Sequence, residues 1–100
     1  LGGLHVYHGG IQHVRTTADR RAAVANGPAA AARDTAAQLR AAGLDVPVVT
    51  GAGTGTFQLE VEAGTHTEVQ PGSYLFMDGD YGANQVRGPC KQPRKQPVAR

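Results

Sequence analysis

A glycine-rich stretch, Gly51-Ala52-Gly53-Thr54-Gly55-Thr56, follows an apolar run and is the strongest chemical signal in the sequence. Glycine lets backbone N–H groups approach an anion closely, and the hydroxyls of Thr54 and Thr56 add further polar groups. The stretch lacks the Gly-Lys-Ser/Thr of a P-loop, and its glycine spacing does not fit the dinucleotide-binding pattern. It predicts either a phosphate-binding loop or a flexible tight turn, and the loop alone does not decide between them.

A second stretch, Gln70-Pro71-Gly72-Ser73-Tyr74, also follows a strand-like run and opens an apolar turn. The amides of Gly72 and Ser73 are expected to be free donors there, as at the start of a helix; the alternative is a simple Pro-Gly turn. Phosphate sites gather at the loops that follow neighbouring parallel strands. We therefore expect Thr54 and the amides of Gly72 and Ser73 to converge on one anion.

The remaining reactive side chains give weaker signals. His8 and His13 lie in the loop after the first strand, but their spacing is poor for a metal pair, and a lone histidine is usually an ordinary loop residue. Tyr7 is expected to be a half-buried strand residue. The alternative is a specific functional role, in which its ring contacts a planar cofactor. Cys90 is the single cysteine, which excludes an internal disulfide framework and a zinc site built on cysteine pairs.

Alternating strand and helix patterns must position these residues. Apolar runs predict strands at 4–7, 46–49 and 67–70, and helix-favouring stretches predict helices at 18–25, 28–42 and 57–63. Thr16, three residues before Asp19, predicts a helix N-cap. Gly43 predicts a helix end. The alternation predicts an α/β fold with parallel strands joined by crossovers.

The charge is divided unevenly along the chain. Residues 1–86 hold five arginines and eight acidic residues, whereas residues 87–100 hold five basic residues and no acidic one. The overall charge of +2 thus describes an acidic domain with a basic, Pro-containing tail, for which disorder is expected. The acidic domain argues against nucleic-acid binding. No apolar stretch approaches the roughly 18 residues of a membrane-spanning helix, so we expect a cytoplasmic protein without a membrane partner.

Three motifs occur in an order that resembles a known family. They are His8-Gly9-Gly10-Ile11-Gln12-His13, the stretch 49–57 and the stretch 68–81. In these motifs the chain resembles the D-threonine aldolases and, more loosely, the D-serine dehydratases and related deaminases, which share a barrel domain with alanine racemase. The similarity covers residues 1–84.

The resemblance implies an α/β fold, a partial (β/α)8 barrel. Its last three parallel strands with the intervening helices would form residues 1–84 of an internal fragment, followed by a basic, Pro-rich disordered tail at 85–100. It implies a lyase that uses pyridoxal 5'-phosphate and acts on D-3-hydroxy amino acids, with a homodimer expected for the parent enzyme. Three strands cut from such a barrel would leave open edges and an uncovered face, which we expect to be apolar.

The resemblance also implies roles for single residues. Thr54 corresponds to the phosphate-contacting hydroxyl, and Gly72 and Ser73 to the amides on the other side of the phosphate. His13 falls where the dehydratases place a tyrosine near the cofactor, and Tyr7 lies near the cofactor-facing end of its strand. Gln12 is expected to line the same pocket.

Two parts of the family pattern are missing. The family's lysine that binds the cofactor lies upstream of this chain, whose only lysines are Lys91 and Lys95. The divalent-metal ligands, a His with a Cys or Asp two residues on, belong to a downstream domain. The chain alone is therefore predicted to be inactive, and the choice between aldolase and dehydratase stays open. The alternative function is a non-catalytic module that binds a phosphorylated ligand.

Overall fold

The computed structural model describes residues 1–85 and contains a three-stranded parallel sheet. Its strands are β1 (Leu4–Val6), β2 (Val49–Gly51) and β3 (Glu68–Val69), paired in the order β1-β2-β3. The register places Val6 opposite Gly51, and Gly51 opposite Val69. The predicted α/β alternation with parallel strands is confirmed. Apart from Gln85, the tail predicted for 85–100 lies outside the described residues.

Helices connect the strands on one side of the sheet. Two of them, α1 (Thr17–Asn26) and α2 (Pro28–Ala41), join β1 to β2, and α3 (Phe57–Ala63) joins β2 to β3. A 3-10 turn at Ser73–Phe76 and the short α4 (Gly79–Gly82) follow β3. None of the helices within residues 1–85 combines the length and apolar character needed to span a membrane.

Local signals account for the helix boundaries. The Thr16 hydroxyl accepts a hydrogen bond from the Asp19 amide at 3.2 Å, so the predicted N-cap is confirmed. Pro28 occupies the first position of α2, where its missing N–H costs nothing. Gly43 and Gly64 adopt left-handed backbone angles, with φ of +83° and +73°, and end α2 and α3.

The second strand begins three residues later than predicted. Pro47 has no N–H to donate to a neighbouring strand, so it lies outside the ladder. Just before β2, the Val48 carbonyl accepts a hydrogen bond from the Leu4 amide of β1 at 2.8 Å. Val46 is buried and packs in a cluster with Ala32 and Ala36 of α2.

Small side chains hold the helices close to the sheet. One buried cluster joins α2 to the strands and comprises Ala32, Ala36, Val46 and Val49, with Leu4, Val6 and Leu39 packed against it. A second joins α1, α2 and α3 and comprises Ile11, Val24, Ala29 and Leu59. Alanine lets the α2 backbone approach the sheet, and each apolar group it buries is small.

The face of the sheet without helices is polar, so the expectation of an uncovered apolar face was wrong. Successive strand residues point to opposite faces, and the apolar ones point toward α2. The opposite face carries His5, Thr50, Glu68 and Gln70. His5 Nε2 lies 2.9 Å from Gln70 Oε1, across the middle strand. Exposed apolar surface lies instead in the 3-10 turn, where Phe76 is 92% exposed.

Two arginines bind the end of the described chain: Arg15 in the loop after β1 and Arg20 in α1. The Arg15 guanidinium contacts the carbonyl and carboxylate of Asp80 and donates to Asn84 Oδ1 at 2.9 Å. Arg20, which is buried, donates to the carbonyl of Gln85. Asp78 caps α4 by accepting from the Tyr81 amide at 2.9 Å. Its neighbour Asp80 serves as the partner of Arg15.

Candidate functional site

The loops that follow the three strands lie at one edge of the sheet, because parallel strands end on the same side. The Gln70 amide donates to the Gly51 carbonyl at 2.8 Å, which brings the starts of the second and third loops together. The candidate site is therefore built from residues 7–15, 52–56 and 70–78.

A hydrogen bond joins the two glycine-containing loops. The Tyr74 amide donates to Thr54 Oγ1 at 3.0 Å. Because the Thr54 oxygen accepts this bond, its own hydrogen stays available for another acceptor. The exposed amides of Gly72 and Ser73 directly precede Tyr74, and no hydrogen-bond acceptor for them is found within residues 1–85. Three donors thus belong to the two loops that this hydrogen bond joins: the Thr54 hydroxyl and two amides.

The amides of the glycine-rich loop mostly point inward. Gly53 N donates to Thr56 Oγ1 at 3.4 Å, Gly55 N to Gln12 Oε1 at 3.0 Å, and Thr56 N to the Gly53 carbonyl at 3.1 Å. The expectation that glycines expose loop amides to an anion was therefore wrong for these three. The group through which this loop meets the loop after β3 is the Thr54 hydroxyl.

The glycines in this loop are required by close packing on Gln12. A Cβ at Gly55 would lie 1.9 Å from the Gln12 carbonyl oxygen. A Cβ at Gly53 would lie 2.5 Å from Gln12 Oε1 and 3.2 Å from the Tyr7 ring. The two separations from Gln12 are shorter than real Cβ contacts, so a larger residue would displace the loop from Gln12.

A chain of buried polar side chains lies beneath the loop. Gln12 Nε2 donates to Thr56 Oγ1 at 3.0 Å, and the Thr56 hydroxyl donates to Glu60 Oε2 at 2.5 Å. Glu60 Oε1 in turn lies 3.7 Å from Nε2 of His66, whose side chain is fully buried. The sequence interpretation did not identify Glu60 or His66. The four-residue spacing of Thr56 and Glu60 at a helix start was the available signal.

Burial determines the protonation of Glu60. Loss of solvent raises the pKa of its carboxyl, and the hydrogen bond from Thr56 and the nearby His66 and His8 offset this only in part. A raised pKa means that the folded chain holds this proton at a pH where the unfolded chain has released it. Stability should therefore fall as pH rises from the ordinary value of 4.5 through the raised pKa of Glu60.

We expect Glu60→Gln to remove this fall in stability. Glutamine keeps an acceptor for Thr56 but has no proton to release, so its contribution does not change with pH. The check is urea unfolding of both proteins in steps from pH 4.5 upward, with the free energy of unfolding compared at each pH. Parallel pH profiles for the two proteins would contradict the assignment.

His13 contacts the segment after β3, whereas the Tyr7 ring lies beside Gly53 of the glycine-rich loop. The His13 ring is 4.3 Å from the Tyr81 ring, and its Nδ1 is 3.3 Å from Asp80 Oδ2. The hydrogen bond from Arg15 lowers the pKa of Asp80, which keeps a negative charge beside His13. Tyr7 follows the end of β1 and is 54% exposed, so the expected half-buried strand position was wrong.

Comparison with known proteins gives a consistent result. No protein-family profile matches the chain. Over 89 residues the chain is 47% identical to a D-threonine aldolase of Arthrobacter sp, a match that covers 89% of this chain and 23% of that protein. Over 80 residues it is 39% identical to a 3-hydroxy-D-aspartate aldolase of Paracoccus denitrificans, covering 80% of this chain and 20% of that protein.

A solved structure agrees with the sequence matches. The crystal structure of D-threonine aldolase from Filomicrobium marinum superposes with a TM-score of 0.82 at 43% identity, over 86% of this chain and 23% of that one. The chain thus spans less than a quarter of the length of these relatives. In sequence and in fold, this chain is homologous to one segment of the D-threonine and 3-hydroxy-D-aspartate aldolases.

Proposed function

We propose that this chain carries the phosphate-binding loops of a lyase that uses pyridoxal 5'-phosphate and acts on D-3-hydroxy amino acids. The observation that supports this most directly is the 3.0 Å hydrogen bond from the Tyr74 amide to Thr54, which joins the loops after β2 and β3. The relatives are named for D-threonine and 3-hydroxy-D-aspartate, and both compounds are D-amino acids with a hydroxyl on C3. In the proposed enzyme, β1 to β3 are the last three strands of a (β/α)8 barrel.

The donors at this edge fit a phosphate group. Its oxygens are acceptors only, and the Thr54 hydroxyl and the amides of Gly72 and Ser73 are donors. A Cβ added to Gly72 would meet no atom of residues 1–85 within 4 Å, so this part of the chain leaves the turn open to a ligand. We assign the phosphate to these three residues, and the ring side of the cofactor to Tyr7 and His13.

The cofactor supplies an electron sink for bond cleavage at the substrate, and the residues of this chain hold it by its phosphate. Covalent attachment requires a lysine, and residues 1–85 contain none. The part of the chain that the structure describes also holds no cluster of three or more His, Cys, Asp or Glu suited to a metal. We place the lysine and the metal ligands in segments of the aldolases that do not align with this chain.

Cofactor binding by Thr54 variants tests the proposal. We expect the 100-residue chain to bind pyridoxal 5'-phosphate more tightly than pyridoxal, which lacks the phosphate. Thr54→Val should weaken binding of pyridoxal 5'-phosphate and of inorganic phosphate by about tenfold or more, since a hydrogen bond to a charged group contributes about 1.5–3 kcal/mol. Thr54→Ser, which keeps the hydroxyl, is the matched control and should stay close to the wild type. Titrations followed by amide chemical shifts give the affinities.

Two results would decide against this function. Equal affinity for pyridoxal and pyridoxal 5'-phosphate would show that the phosphate is not what the loops recognise. If Thr54→Val binds phosphate with wild-type affinity, Thr54 does not contribute to the site. Tight binding of inorganic phosphate without any preference for the cofactor would favour the non-catalytic phosphate-binding module.

A further inference from the structure

We infer that Gln12 is a positioning residue, which holds the stretch Gly53–Thr56 so that the Thr54 hydroxyl faces the phosphate site. The inference rests on the proposed function, because it concerns the same site. Gln12 was expected to line the cofactor pocket, but it is only 2% exposed and its side chain lies beneath the loop. Its role is therefore indirect.

The side-chain amide of Gln12 is fully engaged within the protein. Oε1 accepts from the Gly55 amide at 3.0 Å, and Nε2 donates to the His8 carbonyl at 3.1 Å and to Thr56 Oγ1 at 3.0 Å. Both N–H groups are used, so no donor remains for a ligand. The Gln12 carbonyl also accepts from Asn84 Nδ2 at 2.7 Å. Gln12 thus connects the loop after β1, the glycine-rich loop and the segment after α4.

Glu60 fixes the direction of these hydrogen bonds. The Thr56 hydroxyl gives its only hydrogen to Glu60 Oε2 at 2.5 Å, so its oxygen is left to accept from Gln12 Nε2 and from the Gly53 amide. Nε2 of Gln12 must then face Thr56, which turns Oε1 toward Gly55.

The position of Thr54 follows from this network. Its two neighbours in sequence, Gly53 and Gly55, both donate to buried acceptors, the Thr56 hydroxyl and Gln12. With the backbone held on both sides, the Thr54 hydroxyl meets the Tyr74 amide at 3.0 Å. Loss of the Gln12 or Thr56 groups would release this short stretch without removing any group that touches phosphate.

Two pairs of substitutions test the inference in the full chain. Gln12→Met keeps the length of the side chain and removes its hydrogen bonds; Thr56→Val removes a hydroxyl that Thr56→Ser retains. The probe is inorganic phosphate, and amide hydrogen exchange of Gly55 is measured without ligand. We expect Gln12→Met and Thr56→Val to lose phosphate affinity by about tenfold. The hydrogen-exchange rate of the Gly55 amide should rise on the order of tenfold or more in Gln12→Met. Thr56→Ser should bind phosphate with wild-type affinity.

A control separates positioning from general stability. Ala36→Gly weakens α2 at a position that packs with Ala32, Val46 and Val49, a cluster that includes no residue of the glycine-rich loop. It should therefore lower the melting temperature and keep wild-type phosphate affinity. An equal loss of affinity in Ala36→Gly would overturn the inference. Unchanged affinity and unchanged Gly55 exchange in Gln12→Met would also overturn it, while leaving the proposed function intact.

The two proposals fail in different ways. No phosphate binding by the folded wild-type chain would overturn the proposed function, whereas Gly55 exchange would still report whether Gln12 holds the loop. If circular dichroism shows that Gln12→Met does not fold, the Thr56→Val and Thr56→Ser pair decides. Equal phosphate affinity in that pair overturns the positioning role, and a loss confined to valine supports it.

Discussion

The 100-residue chain, supplied with pyridoxal 5'-phosphate and a divalent metal, is expected to turn over neither D-threonine nor D-serine. Covalent chemistry on this cofactor requires a lysine whose amine is activated by burial or by a fixed neighbour. No lysine occurs in residues 1–85, and Lys91 and Lys95 lie outside the described residues. Phosphate binding alone orients the cofactor and adds no reactive group.

The assay for this prediction follows acetaldehyde released from D-threonine and pyruvate formed from D-serine, each through a coupled dehydrogenase. The Arthrobacter sp D-threonine aldolase, with which the chain shares 47% identity, serves as the positive control for the first substrate. Free cofactor without protein sets the background rate. Turnover clearly above that background would show that this chain supplies its own reactive group.

Gly55→Ala is expected to cause a large loss of stability. The new Cβ would lie 1.9 Å from the carbonyl oxygen of Gln12 and 2.7 Å from its carbonyl carbon. These are backbone atoms, so the clash is relieved only by moving the loop away from Gln12. Overpacking costs about 1–3 kcal/mol and more when backbone must shift, a large share of the roughly 5–15 kcal/mol that stabilises a typical domain. Urea unfolding measures the change.

Gly79→Ala is the matched control for this substitution. Among the described residues a Cβ at Gly79 would meet no atom within 4 Å, and this residue begins α4 with an ordinary backbone conformation. Alanine also restricts the unfolded chain, so stability should stay the same or rise by up to about 1 kcal/mol. Similar effects of the two substitutions would show that the loop does not pack on Gln12 as described.

Features encoded locally were predictable from the sequence. Thr16, Pro28 and Gly43 each act on the backbone within a few residues, and they placed the starts and ends of α1 and α2 nearly correctly. The strand predicted at 46–49 lies at Val49–Gly51 in the structure. The prediction followed the apolar side chain of Val46, although Pro47 has no N–H to donate to a neighbouring strand. Val46 is buried by side-chain packing with Ala32, Ala36 and Val49, and it is not paired in the sheet.

The candidate site was predictable only in part. Parallel strands end at one edge, and that rule alone brings the loops containing Thr54 and Gly72 together. The network of Gln12, Thr56 and Glu60 joins residues up to 48 positions apart, and no spacing rule in one sequence reveals such contacts. Glycines suited to an exposed phosphate loop are equally suited to close packing on a buried glutamine. Only the structure shows that Gly53 and Gly55 do the latter.

The two faces of the sheet differ in polarity, because successive side chains along each short strand point to opposite faces. On one side, alanines of α2 and valines of the strands exclude water. On the other, His5 and Gln70 bridge the middle strand, beside Thr50 and Glu68. An aliphatic layer placed on that second side would strip these polar groups of solvent without replacing their hydrogen bonds, at a cost of about 1–3 kcal/mol for each unpaired group. Whatever encloses this side in a longer protein must therefore be hydrated or bring polar partners of its own.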